Sequence, residues 1–209
     1  MSSHTATVRS QTQLERTFEV YNLKIGMWIF LLSEVMFFTS LIGAYIILRF
    51  AHPDQFPEPG EVLSIELTAF NTFMLICSSV TMVKAFAAIQ QDDQKGLQFW
   101  LLATIIMGSA FVGIQLYEYI FLIHEGFVPI VDLYAAEGGG PLYGSTFYLM
   151  TGFHGTHVTI GVFALIGVLL RARTGAFNSQ KLGPVEIVGL YWHFVDLVWI
   201  VLFTIVYLI

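Results

Sequence analysis

The sequence predicts an all-α protein: a polytopic membrane helix bundle with five transmembrane helices. Five continuous apolar segments fill most of the 209 residues, each longer than the roughly 20 residues that cross a bilayer core. Hydrophobic residues make up 56% of the chain and charged residues 11%, against roughly 45–50% and about 25% in soluble domains. No soluble core could hide that much apolar surface. None of the segments shows the alternating pattern of barrel strands, so helices must satisfy the backbone in lipid.

Residues 1–24 are polar, with no short apolar core and small-residue cleavage site, and read as a mobile tail without a signal peptide. A single transmembrane domain then covers 25–209. Its first span, 25–50, is too long for a signal core. Further spans are expected at 64–89, 97–123, 143–170 and 185–209, separated by polar or Gly/Pro-containing connections. The longest connection, between His124 and Leu142, carries Gly138-Gly139-Gly140-Pro141 and reads as a small cap ending in a turn. Ser40 with Ala44, and Ser109 with Gly113, are small residues four apart and expected packing positions. Trp28, Trp100, Tyr143, Tyr191 and Trp192 fall near span starts, where interfacial anchors are expected.

Charge sets the orientation. Arg9, Arg16, Lys24, Lys84, Lys95, Arg171, Arg173 and Lys181 fall on one face and only Arg49 on the other. The opposite connections carry Asp54, Glu58, Glu61, Asp132 and Glu137. An excess of Lys and Arg marks the cytoplasmic side, so the amino terminus is expected there and the carboxyl terminus in the periplasm or outside. No basic cluster suits nucleic acid. A single cysteine, Cys77, excludes an internal disulfide. Phosphate-binding loops and nucleophile elbows are absent from the sequence, which argues against nucleotide-driven transport and serine chemistry. An independent small transporter would call for related halves, and no repeat is visible.

Ionisable groups at membrane depth are functional candidates. Glu34 lies about 15 Å into its helix, beside Phe37 and Phe38. Hydrocarbon favours the uncharged acid, so a protonated Glu34 is expected. Gln115 with Glu118, His154 with His157, and His193 with Asp196 are each spaced three apart on successive helices. Two readings stand at this point: a metal site built from facing helices, or a hydrogen-bond network that pairs polar groups without water.

These residues also carry a resemblance. Tyr143-Gly144-Ser145-Thr146-Phe147, then Thr151-Gly152-Phe153-His154-Gly155-Thr156-His157-Val158, resembles the signature of cytochrome c oxidase subunit III. So does Tyr191-Trp192-His193-Phe194-Val195-Asp196-Leu197-Val198-Trp199. Ser33-Glu34-Val35-Met36-Phe37-Phe38 is similar to the family's first retained helix, and Gln115 with Glu118-Tyr119 to its middle one.

The resemblance implies a subunit of a proton-pumping terminal oxidase that reduces oxygen to water, with cytochrome c as electron donor; a quinol oxidase is the alternative, and a metal-dependent membrane enzyme a remote one. It implies haem and copper in partner subunits I and II, no cofactor in this chain, and bound phospholipid. A small subunit IV is a further candidate partner. Glu34 matches the family's buried, carbodiimide-reactive carboxylate, and Arg171 its phospholipid-binding arginine. Gln115, Glu118, His154, His157, His193 and Asp196 become structural polar contacts rather than catalytic, cofactor or metal ligands. The implied role is to stabilise subunit I, support proton uptake and hold lipid, in a bacterial plasma (inner) membrane. Larger members have seven helices, and this chain begins with what resembles their third, which removes one wall of their lipid cleft.

Overall fold

A computed structural model describes residues 2–56, 63–124 and 141–208, with side chains from Tyr21 onward except that of Pro141. It contains α1 (Ser2–Ala51), a 3₁₀ turn (Pro53–Gln55), α2 (Ile65–Gln90), α3 (Gln94–His124), α4 (Pro141–Arg173) and α5 (Gly183–Phe203), which a π-helical turn (Thr204–Leu208) extends. Five of these stretches are long and apolar enough to cross a membrane, as the sequence predicts. The expected 138–140 turn, with Asp132, Glu137, Glu58 and Glu61, lies outside the described residues.

The polar segment read as a tail is helical and continues α1 back to Ser2. No Gly or Pro interrupts residues 2–25, so nothing local ends the helix. It stops at Ala51 because Pro53 disfavours helical backbone at His52. Pro lies in the first turn of α5, where its missing N–H costs nothing. Helix α4 closes with Gly175 at φ +69°. The Gly175 and Ala176 amides donate to the Ala172 and Arg171 carbonyls at 3.1 and 3.4 Å, a paired closure that requires the left-handed residue.

Helices α2, α3, α4 and α5 form a closed ring in which each packs on the next and α5 returns to α2. Helix α1 sits outside, against α4 and α5. Its apolar stretch is accordingly the least buried of the five, at 17% against 33–44%.

Close approach within the ring depends on glycines other than the expected small-residue pairs. Ser109 and Gly113 face outward, as do Ser40 and Ala44, and a Cβ at Gly113 would meet nothing. A Cβ at Gly108 of α3 would overlap the Trp192 ring, and one at Gly161 of α4 would lie 2.9 Å from it. Trp192 is therefore wedged between two helices at glycine positions. Tyr143, Tyr191 and Trp192, expected as interfacial anchors, are buried in the core; their rings face the bundle, and each polar end finds an internal partner. Trp28 alone of the five is largely exposed, while Trp100 is half-buried beneath the Lys84 ammonium at 4.4 Å.

At the end that carries the α2–α3 and α4–α5 connections, one turn clamps one loop. Asp92, at φ +58°, accepts the Ser179 amide on Oδ1 at 2.6 Å and the Ser179 hydroxyl on Oδ2 at 2.8 Å. The Gln94 and Gln98 amides donate to the Phe177 and Ala172 carbonyls at 2.7 and 3.3 Å.

Gly108→Ala is expected to destabilise the detergent-solubilised protein by about 1–3 kcal/mol, as core overpacking does, whereas Gly113→Ala leaves thermal unfolding unchanged or raises it. Equal effects at both positions would contradict the wedge. The Ser179 amide, then its hydroxyl, holds the Asp92 carboxyl below the usual carboxylate range. A depressed folded value means the clamp is in place above the ordinary carboxylate range and is lost as pH falls through the folded value. The protection factor of the Ser179 amide, its intrinsic exchange rate divided by the observed rate at the same pH, should therefore be high at neutral pH and fall in acid, and be low at both in Asp92→Ala.

Candidate functional site

With no water in the hydrocarbon, buried polar side chains must bond to one another or to helix backbone. The seam between α2 and α5 meets this demand with three rungs. The Trp192 indole N–H donates to the Ser78 hydroxyl at 2.9 Å, and Ser78 donates to the Leu75 carbonyl at 2.6 Å. The Trp199 indole donates to the Thr72 hydroxyl at 2.9 Å, and Thr72 to the Thr68 carbonyl at 2.7 Å. One turn along α5 from Trp192, Asp196 accepts the Ser79 hydroxyl on Oδ2 at 2.6 Å. Positions 192, 196 and 199 fall on one stripe of α5 by helical period, so a single face of that helix carries all three rungs.

A second group lies nearer the other connections. Glu118 of α3 accepts the Tyr207 hydroxyl on Oε2 at 3.3 Å, and its Oε1 shares the single proton of the Thr68 hydroxyl of α2 with the Ser64 carbonyl, each 3.0 Å away. Tyr207 belongs to the π-helical turn, which carries two consecutive buried residues, Val206 and Tyr207. Gln115 donates to the Thr151 carbonyl at 3.0 Å, and a Cβ at Gly155 would lie 2.7 Å from its Oε1, so α3 and α4 meet across a glycine. Thr151 donates to the Phe147 carbonyl at 2.6 Å, which leaves Tyr119 as the donor in the 2.6 Å contact between their hydroxyls.

The histidines part company. His154, wholly buried, donates from Nε2 to the Val195 carbonyl at 3.1 Å and lies against the Trp199 ring at 4.7 Å. His157 turns to α1, with Nε2 3.1 Å from Glu34 Oε2. A spacing of three residues turns a helix face by about 60°, enough to send the two rings to different neighbours. His193 is half-buried one turn before Asp196 and lies outside the hydrogen-bonded network of the described residues. Among the described residues no three His, Cys, Asp or Glu side chains come together as a metal site. The grouping required by a metal-dependent enzyme, His154, His157, His193, Asp196 and Glu118, is thus dispersed toward α5, α1, α2 and the Tyr207 turn.

Helix α1 is fastened at three levels. Lys24 Nζ lies 2.7 Å from Glu186 Oε2 at one end. Glu34 meets His157 at mid-depth, flanked by Phe37 on Phe153 at 5.0 Å and Phe38 on His157 at 5.3 Å. At the far end Tyr45 packs on Phe56 and Phe56 on Tyr143, at 5.4 and 5.8 Å. The apolar surroundings expected of Glu34 are present, but its imidazole partner was not foreseen. Arg171 is exposed at the end of α4, its guanidinium 6.0 Å from the Phe177 ring.

A five-helix integral membrane bundle stitched by internal polar bonds is the class this geometry defines. The chain matches the family model described as cytochrome c oxidase subunit III over residues 5–209. It is 39% identical to cytochrome c oxidase subunit 3 of Thermostichus vulcanus, covering 88% of this chain and 86% of that protein. Identity to the Synechocystis sp. cytochrome c oxidase subunit 3 is 41%, over 88% and 74% of the two chains. Identity to quinol oxidase subunit 3 of Bacillus spizizenii is 34%, over 95% and 93%. The chain belongs to the cytochrome c oxidase subunit III family, as its motifs led us to expect.

Sequence reasoning missed Tyr207, Ser78, Ser79, Thr68 and Thr72. Trp192, Asp196 and Trp199 share a helical stripe that was available to find the first side of the α2–α5 seam. The hydroxyl partners are ordinary membrane-helix residues and carry no such mark.

Thr68→Val and Tyr207→Phe each remove one described donor to Glu118 and should cost about 1–2 kcal/mol of stability. Together they leave the buried carboxyl without either, and their cost should exceed the sum of the singles in a double-mutant cycle. Strict additivity would show that Glu118 does not depend on this pair.

Proposed function

We propose that the chain is the non-catalytic subunit III of a proton-pumping terminal oxidase, a cytochrome c oxidase that reduces oxygen to water. The observation that carries this reading is the family match over residues 5–209, with the Thr151–Val158 and Tyr191–Trp199 motifs placed on facing helices. Its buried polar groups bond largely to one another or to helix backbone, which supports a structural rather than a reacting role. In this reading the haems and copper belong to subunits I and II, and the chain flanks subunit I, sustains proton uptake and holds phospholipid. A small subunit IV would complete the assembly. Relatives named quinol oxidase subunit 3 keep the quinol oxidase alternative in view; the Tyr143–Phe147 and Thr151–Gly155 strings favour cytochrome c as donor.

The setting proposed is a bacterial plasma (inner) membrane, with the amino terminus cytoplasmic on the strength of the Lys and Arg distribution. Arg171 then stands at the cytoplasmic interface, where an exposed guanidinium can grip a lipid phosphate with two parallel hydrogen bonds while its stem stays among apolar groups.

Mild-detergent purification through an amino-terminal tag should bring down haem and copper, both of which leave with the partner subunits under harsher detergent. The isolated chain should then hold no stoichiometric metal. Retention of its own metal would reverse the assignment. A complex lacking the chain should still reduce oxygen, but with a shorter working life.

A further inference from the structure

The Glu34–His157 contact constrains where protons sit. His157 Nδ1 lies 2.7 Å from the Phe153 carbonyl oxygen. A carbonyl only accepts, so Nδ1 carries a hydrogen. Nε2, 3.1 Å from Glu34 Oε2, can then meet the carboxyl group in few ways. Either Nε2–H donates to a carboxylate, or a bare Nε2 accepts from a carboxyl O–H. Both keep the bond, and both have zero net charge. A carboxylate facing a bare Nε2 sets two acceptors against each other. A carboxyl facing an imidazolium keeps a bond but leaves a net positive charge at membrane depth, which hydrocarbon penalises.

We propose that Glu34 and His157 form a single-proton site on the α1–α4 seam, in which one proton is shared between the carboxyl oxygen and Nε2 while Nδ1 remains bonded to its own helix. Moving that proton breaks the O–H bond, leaves the electron pair on oxygen, and forms an N–H bond with the Nε2 lone pair. No charge enters or leaves the pair. The site thereby holds α1 to the ring in both states.

Its surroundings suit this role. Phe37, Phe38 and Phe153 pack about the pair. The Tyr191 hydroxyl of α5 donates to the His157 carbonyl at 3.0 Å rather than to either side chain of the pair. Tyr191 from α5 and His154 from α4 are ionisable neighbours of the pair. Lys24, on α1 itself, is engaged by Glu186. Unlike Glu118 and Asp196, which are buried to 6% and 7% exposure, the Glu34 and His157 side chains retain 17% and 15%. The shared proton is therefore open to the bundle's outer surface.

The test uses the intact complex labelled with ¹⁵N-histidine, with His157 signals assigned by their loss in His157→Gln, and the Glu34 carboxyl located by the infrared difference against Glu34→Gln. The expected result at pH 7 is a protonated Nδ1, with either a carboxyl C=O band and a neutral ring or a carboxylate band and an imidazolium. A bare Nδ1, or a carboxylate band accompanied by a neutral ring, would overturn the proposal. If His157→Gln fails to assemble, Glu34→Gln carries the test alone. Its amide can donate to Nε2, so the His157 ring should become neutral with Nδ1 still protonated, and an imidazolium there at pH 7 would overturn it.

Discussion

The rest of the bundle depends on how α5 is bound to α2. Lipid gives apolar helices little reason to prefer one another over acyl chains, so direction and register must come from packing and from polar contacts. Trp192, Asp196 and Trp199 supply both. Each indole brings a large apolar surface and one N–H, and that N–H ends on a hydroxyl whose own proton goes back to an α2 carbonyl. Sliding α5 along α2 by a turn would strand all three polar groups at once. Because α5 also packs on α4 and receives α1, fixing it fixes the ring and the outer helix together.

Glycines act on the same point from the other side. Trp192 can be buried between α3 and α4 only because Gly108 and Gly161 leave room for its ring. Side-chain volume and backbone approach are thus traded across one residue. The Ser109/Gly113 pair has the spacing of a packing motif but faces outward. Spacing alone cannot say which of two small-residue stripes meets a large partner.

Much of the fold was legible in the sequence because the physics that sets it is long-ranged along the chain: twenty or more apolar residues, bounded by charge, dictate a spanning helix. The candidate site was legible as a set of residues, through their cost in lipid and through the family motifs. Its connectivity was not. Three-residue spacing suggested that His154 and His157 share a face, but about 60° of rotation sends one into the ring and the other to α1. Hydroxyl partners such as Thr68 and Ser79 were invisible because a membrane helix can satisfy a hydroxyl within its own backbone, so its presence predicts no neighbour. Tyr207 was hidden for a related reason, since its contact with Glu118 is made from the π-helical turn at the end of α5.

The outer helix is held by a different chemistry from the ring. Ring contacts use hydroxyls, amides, indoles and aromatic packing, and the ionisable members Glu118 and Asp196 accept from neutral donors. Helix α1 instead meets its neighbours through two pairings between ionisable groups, Lys24 with Glu186 and Glu34 with His157, separated by aromatic contacts. Such pairings are strong where water is excluded and weak where it enters. A helix attached this way has its docking tied to protonation and to solvent access. The least buried helix of the domain is thereby the one most able to respond to what surrounds it.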